Sequence, residues 1–254
     1  MPANLEVLFA PAEFAVLAKR DLTRTVCVVF DILRATSTMM TALANGAAEM
    51  LPVAEIDEAL TLHRQRPGAL LGGERHGLRI TAGQAGGRDF DFGNSPREYT
   101  RERVQGKTIV MTTTNGTRAL RACLGAQKTL IGTFLGLRAV AHWIERERPE
   151  ELLLVCSGTI DQTSYEDTLA AGALCDLIWP IYSAGTFSDS AQISRQVFSF
   201  ARGDLLKVMQ HARNGRRLLA IPDLCDDVAY CVQRDTVDFV AALSPAGAVR
   251  KLDK

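Results

Sequence analysis

Short apolar runs rich in β-branched residues, each followed by a stretch with helical spacing, are the feature that most constrains this chain. A strand covered on both faces reads as a continuous apolar run, whereas the helix that covers it needs only one apolar stripe, so this alternation marks βα units. Strands are expected at 5–9, 26–30, 49–53, 69–72, 108–112, 128–132 and 152–156, with another near 237–241. The spacing predicts helices at about 12–19, 36–45, 55–64, 96–103, 116–124, 136–148, 165–179 and 189–212. The expected class is therefore α/β on a largely parallel sheet. A chain of 254 residues fits one domain, or two closely packed lobes, and residues 1–254 are taken as one unit.

Charge narrows the function classes. Lys plus Arg and Asp plus Glu both number 29, so no global basic field exists to hold nucleic acid or an anionic membrane surface, and any anion site must be local. The six cysteines form no Cys-x-x-Cys pair and lie mostly within apolar runs, as free thiols of a reducing compartment do. No window approaches the roughly 20 apolar residues of a membrane span, and no basic stretch precedes an apolar run at the start. A cytoplasmic protein is expected.

Three predicted strands run into hydroxyl-rich turns that open helices. In the first, Asp31 is followed by Arg34, Thr36, Ser37 and Thr38; in the second, Thr112 is followed by Thr113, Thr114, Asn115, Gly116, Thr117 and Arg118; in the third, Cys156 is followed by Ser157, Gly158 and Thr159. Unpaired N–H groups and the helix dipole attract anions to such turns. Ligands of open α/β sheets sit outside the carboxyl ends of the strands, so three turns on one edge would suit a substrate with several anionic groups. Ser and Thr are also ordinary helix caps, which is the competing explanation for each turn alone. Ser95 before Pro96 is expected to cap a helix, and the Gly-rich stretch from Gly83 to Gly93 reads as a loop.

Asp31 ends an apolar strand, where a carboxylate needs a cation or donors; a salt bridge to Arg34 would be one answer. Glu74, Glu166 and Asp167 add hard oxygen ligands that suit Mg²⁺, although the last two also fit a helix amino terminus electrostatically. Arg34, Arg75 and Arg118 are candidates to clamp an oxyanion in a bidentate way. The four histidines show no ligand spacing, and only His76 lies near a candidate site. Leu33 stands where haloacid-dehalogenase-type phosphatases need a second Asp, and Gln162 stands where cysteine phosphatases need Arg. Neither a Walker A loop nor a Gly-x-Gly-x-x-Gly turn is present.

Five motifs together resemble the 2-phosphosulfolactate phosphatase family: Asp31 to Thr38, Gly73-Glu74-Arg75, Phe92 to Tyr99 with Asn94 and Ser95, Thr112 to Leu120, and Glu166 to Gly172. The resemblance runs through about residues 26 to 180. It implies a three-layer α/β/α sandwich with a mixed, mostly parallel sheet, and a Mg²⁺-dependent phosphatase of coenzyme M biosynthesis that releases sulfolactate and phosphate. On that basis Asp31, Arg34, Glu74 and Arg118 are expected to be catalytic, and Asp31, Glu74, Glu166 and Asp167 to hold the metal. Thr36, Ser37, Thr38, Arg75, Asn94, Ser95, Thr113, Thr114, Asn115, Gly116 and Thr117 are expected to bind a small anionic substrate. Another phospho-2-hydroxy-acid substrate, a lyase or mutase on a similar acid, and a non-catalytic module that binds such an acid remain open alternatives. No nucleic-acid or membrane partner is expected, and a homodimer would be unsurprising.

Overall fold

The computed structural model describes residues 4–252. Eleven strands form one sheet: β1 (Asn4–Leu8), β2 (Thr25–Phe30), β3 (Glu49–Val53), β4 (Leu70–Arg75), β5 (Leu78–Arg79), β6 (Thr108–Thr112), β7 (Lys128–Gly132), β8 (Glu151–Cys156), β9 (Thr186–Phe187), β10 (Ala241–Leu243) and β11 (Val249–Lys251). Eleven α-helices accompany them: α1 (Phe14–Leu17), α2 (Ala35–Ala44), α3 (Ile56–Gln65), α4 (Arg101–Val104), α5 (Gly116–Ala122), α6 (Leu137–Glu147), α7 (Tyr165–Tyr182), α8 (Asp189–Ala201), α9 (Leu205–Met209), α10 (Arg213–Leu219) and α11 (Cys225–Cys231). No helix among the described residues is long and apolar enough to cross a membrane.

Alternation along the central strands builds two cores. Val26, Val28, Phe30, Leu152 and Leu154 face α6, α7 and α8, whereas Cys27, Val29, Leu153 and Val155 face α1, α2 and α5. A third cluster packs Leu51, Val53, Leu71 and Val110 against Ala59 of α3. The result is a three-layer α/β/α sandwich on a mixed, mostly parallel sheet. Because successive side chains point to opposite faces, a strand buried on both sides has to be apolar throughout, and β2 is buried at all six positions.

The strand order is β5-β4-β6-β3-β11-β10-β7-β2-β8-β1-β9. Two parallel blocks, β4-β6-β3 and β7-β2-β8-β1-β9, are joined by the antiparallel hairpin β10-β11. Three antiparallel pairings in succession, β3 to β11, β11 to β10 and β10 to β7, make the blocks run in opposite senses. The candidate turns therefore do not share one edge of one parallel sheet, as the sequence suggested. The packing of α5 against α2 and β2 nonetheless brings residues at the ends of β2, β4 and β6 to one cleft.

Several local expectations change. Residues 237–240 are not a strand; pairing begins at Ala241 and is antiparallel. The predicted 96–103 helix is a 3-10 turn, Pro96–Glu98, followed by α4, and Ser95 makes no cap hydrogen bond. The predicted 189–212 helix breaks between α8 and α9, and β4 continues through Glu74.

Candidate active site

Asp31 follows directly on β2, and its side chain is held from two sides. The Ala35 N–H donates to Oδ1 at 3.0 Å, and Gly116 at the start of α5 lies so close that a Cβ there would stand 2.7 Å from Oδ2 and 2.7 Å from the Ala35 Cβ. Only glycine allows α5 to approach the carboxylate at this distance. Asp31 is 7% exposed and pairs with no cation. Burial first, then the neighbouring Glu74 and Glu166 carboxylates, push its carboxyl up to about 6, although the Ala35 hydrogen bond acts in the opposite direction.

Glu74 joins β4 to the turn after β6. Its Oε1 accepts from the Thr114 N–H at 2.8 Å and the Thr114 hydroxyl at 2.9 Å, and its Oε2 accepts from the Gly77 N–H at 2.6 Å. The Thr-rich run thus serves first to orient a carboxylate. Thr117 donates to the Thr113 carbonyl, Asn115 Oδ1 accepts from the Ile160 N–H, and only the Thr113 hydroxyl in this run is buried without a partner.

The first turn of α7 carries the other two carboxylates. Asp167 Oδ1 accepts from the Ile32 N–H at 2.8 Å, and its Oδ2 accepts from the Ser157 hydroxyl and the Gly158 N–H, both at 3.2 Å. These bonds tie the ends of β2 and β8 together, so both oxygens of this expected metal ligand are engaged. Burial, then Glu166 and Asp31, raise its carboxyl well above the usual range. Glu166 Oε1 accepts from Asn214 Nδ2 at 2.6 Å, whereas its buried Oε2 has no partner.

The arginines part company. Arg34 is buried, but it pairs with Asp227 of α11 at 2.7 Å and donates to the Gly77 carbonyl at 2.6 Å; it does not bridge to Asp31. Asp227 also accepts from the Ser95 hydroxyl at 2.7 Å and from Arg97 Nε at 2.8 Å. Arg75 turns to the Glu74 and Ala54 carbonyls and to the Thr112 hydroxyl. Arg118 points out from α5 and pairs with Asp161 in solvent, and neither residue lines the cleft. The hydroxyls of Thr36, Ser37 and Thr38 donate to the carbonyls of Asp31, Ile32 and Asn94, so they fasten α2 and leave no hydroxyl cradle for an anion.

What converges is a cleft of about 130 Å³. Asp31, Arg34, Glu74, Asn94, Thr113, Thr114 and Asn115 line it, as do His76, Gly77, Thr159, Ile160, Asn214 and Arg217. Of the expected substrate residues, Thr36, Ser37, Thr38, Arg75, Ser95, Gly116 and Thr117 stand behind its walls. Asn214 and Arg217 of α10 and Asp227 of α11 belong to helices that the sequence did not reveal; the basic run Arg213 to Arg217 was a visible signal for α10 alone. Larger hollows, about 380 and 460 Å³, open by the amino ends of β2 and β7, but no comparable group of buried acids lines them.

Among the described residues no three acidic, His or Cys side chains gather closely enough to form a ready-made metal cage. Mg²⁺ does not require one, since it commonly binds one or two carboxylates, waters and substrate phosphate. Asp31 and Glu74 on the cleft wall, with the unpartnered Glu166 Oε2, Thr113 Oγ1 and Asn94 Oδ1 nearby, are a hard-oxygen donor set of that kind.

The family described as 2-phosphosulpholactate phosphatase matches residues 14–245. The chain is 37% identical over 226 residues, 88% of its length and 90% of the relative's, to a protein named probable 2-phosphosulfolactate phosphatase in Caldanaerobacter subterraneus subsp. tengcongensis. Proteins of the same name are 39% identical over 214 residues in Clostridium novyi, covering 84% of this chain and 86% of the relative, and 38% identical over 224 residues in Gloeobacter violaceus, covering 87% and 89%. The chain belongs to the 2-phosphosulpholactate phosphatase family and is a phosphatase, a hydrolase of phosphoric monoesters.

Proposed function

We propose that this enzyme hydrolyses 2-phosphosulfolactate to sulfolactate and phosphate with Mg²⁺ in the cleft between Asp31 and Glu74, a reaction belonging to coenzyme M biosynthesis. The observation that carries the reading is the buried Asp31 carboxylate, which has two acidic neighbours and no cation, in a chain of this family. Such an arrangement is costly without a counter-ion.

Asp31 and Glu74 would hold the metal from the cleft wall, with Glu166 behind them. When bound, Mg²⁺ offsets negative charge on the phosphoryl oxygens. Thr113 lines the cleft, and its hydroxyl, which has no partner among the described residues, would donate to a phosphoryl oxygen. Thr114 and Gly77 keep Glu74 from rotating, and Asp227 and the Gly77 carbonyl hold the Arg34 guanidinium, so these groups need little reorganisation as charge develops. The six cysteines, all free thiols, support a cytoplasmic setting for this chemistry.

The test is phosphate release from racemic phosphosulfolactate, phospholactate and phosphoglycolate, with Mg²⁺ or EDTA, by wild type and Asp31→Asn. Release that favours the sulfonated ester, stops with EDTA and falls by about a thousandfold in the variant is expected. Metal-independent release, or a variant of near wild-type rate, would refute the assignment.

A further inference from the structure

The cleft contains an arginine that nothing among the described residues neutralises. Arg34 is paired with Asp227, Arg75 with backbone carbonyls, and Arg118 with Asp161 outside the cleft. Arg217 of α10 lines the cleft and has no hydrogen-bond or ion-pair partner among the described residues. Its position is nonetheless defined. A Cβ on Gly77 would lie 2.8 Å from Arg217 Nη2 and 3.3 Å from its Cζ, so the guanidinium lies against the bare Cα of that residue. The Gly77 carbonyl accepts from Arg34, and its N–H donates to Glu74. One glycine turn therefore separates the paired arginine from the unpaired one.

The helix that carries Arg217 is pinned to the site one turn earlier. Arg213 donates to Gln162 Oε1 at 2.6 Å, and Asn214 donates to Thr159 Oγ1 at 2.7 Å and to Glu166 Oε1 at 2.6 Å. Residues three and four apart share a helix face, so these anchors turn Arg217 toward the cleft. The deep part of the cleft is acidic, with Asp31 and Glu74 7% and 6% exposed, and Arg217 stands exposed at its mouth.

We propose that Arg217 is the specificity-determining residue that binds the sulfonate of the substrate; this rests on the substrate reading above. A phosphosulfolactate oriented with its phosphoryl group toward Asp31 and Glu74 directs its most distant anionic group outward. The sulfonate sulfur lies one carbon beyond the ester-bearing carbon, and two of its oxygens match the planar fork of a guanidinium. Phospholactate has a methyl group in that place and offers Arg217 nothing to bind.

The experiment is steady-state kinetics of wild type, Arg217→Gln and Arg217→Lys on phosphosulfolactate and phospholactate at saturating Mg²⁺. Arg217→Gln is expected to raise KM for phosphosulfolactate at least about tenfold, with kcat within about twofold and both constants for phospholactate nearly unchanged. Arg217→Lys, which keeps the charge and loses the fork, should fall between. Equal losses on both substrates, or none on either, would overturn the assignment. Absence of phosphate release by the wild type would instead refute the substrate reading, and the inference with it.

Discussion

At the scale of single residues, Asp31 concentrates the chemistry because the fold gives it a donor, Ala35 N–H, and a bare glycine surface, but no cation. Its carboxyl, near 4 in an unfolded chain, rises to about 6 in the native one. Between those values the folded protein binds more protons than the unfolded one, so stability is fully present below about 4 and is lost as pH climbs through 6. In chelator, wild type is expected to lose on the order of 2–3 kcal/mol across that range. Asp31→Asn, which can still accept from Ala35, should show a shallower slope and a higher melting temperature at neutral pH; thermal scans from pH 4 to 8 measure both, and an unchanged slope would sink the account. The same ionisation has the opposite consequence for metal. The Mg²⁺ concentration needed for half-maximal activity should fall as pH rises through about 6, because only the ionised carboxylate is a ligand; a pH-independent requirement would contradict the assigned role of Asp31.

At the scale of elements, the site depends on how closely α7 and α8 pack. Gly172 of α7 faces the Ser194 carbonyl of α8 so closely that any Cβ would overlap it. Gly172→Ala must therefore separate the two helices, and a loss of about 1–3 kcal/mol or more is expected in urea unfolding; an unchanged midpoint would show that the contact is looser than this. The elements also show where local pattern was informative. The helices α3 and α6 follow their apolar periods, and α2, α7 and the long central strands stand out as apolar runs buried nearly all round, whereas α10 and α11 are short and half-buried and were not legible. Ser95 illustrates the limit. It stands where a cap belongs, before Pro96, yet its oxygen accepts no N–H from the helix end, and its O–H donates instead to Asp227, more than a hundred residues on.

For the whole molecule, the carboxyl-terminal hairpin β10-β11 is the bridge between the two parallel blocks. Arg250 donates twice to Glu49 Oε2, at 2.9 and 2.6 Å, and so fastens β11 to β3. A chain ending at residue 240 would leave β3 and β7 with unpaired inner edges, which are templates for aggregation. It is expected to give little soluble protein and no cooperative melting transition; a soluble truncation with wild-type melting and activity would show that the blocks hold together without the hairpin.

Periodic patterns report which face of an element is apolar, and that is a local property. The positions of β1, β2, β3, β6, β7 and β8 and the α/β class were therefore readable from the chain alone. Which partner each polar group takes is not local. The opposed sense of the two parallel blocks, the engagement of Asp167 by Ile32 and Gly158, the pairing of Arg34 with Asp227 and the placement of Arg217 over Gly77 all join residues from different elements, several of them more than a hundred positions apart. Burial makes the Asp167 and Arg34 pairings compulsory, since an unsatisfied charge or N–H in the core costs more than a surface contact returns, but only the packed tertiary structure selects which group satisfies it.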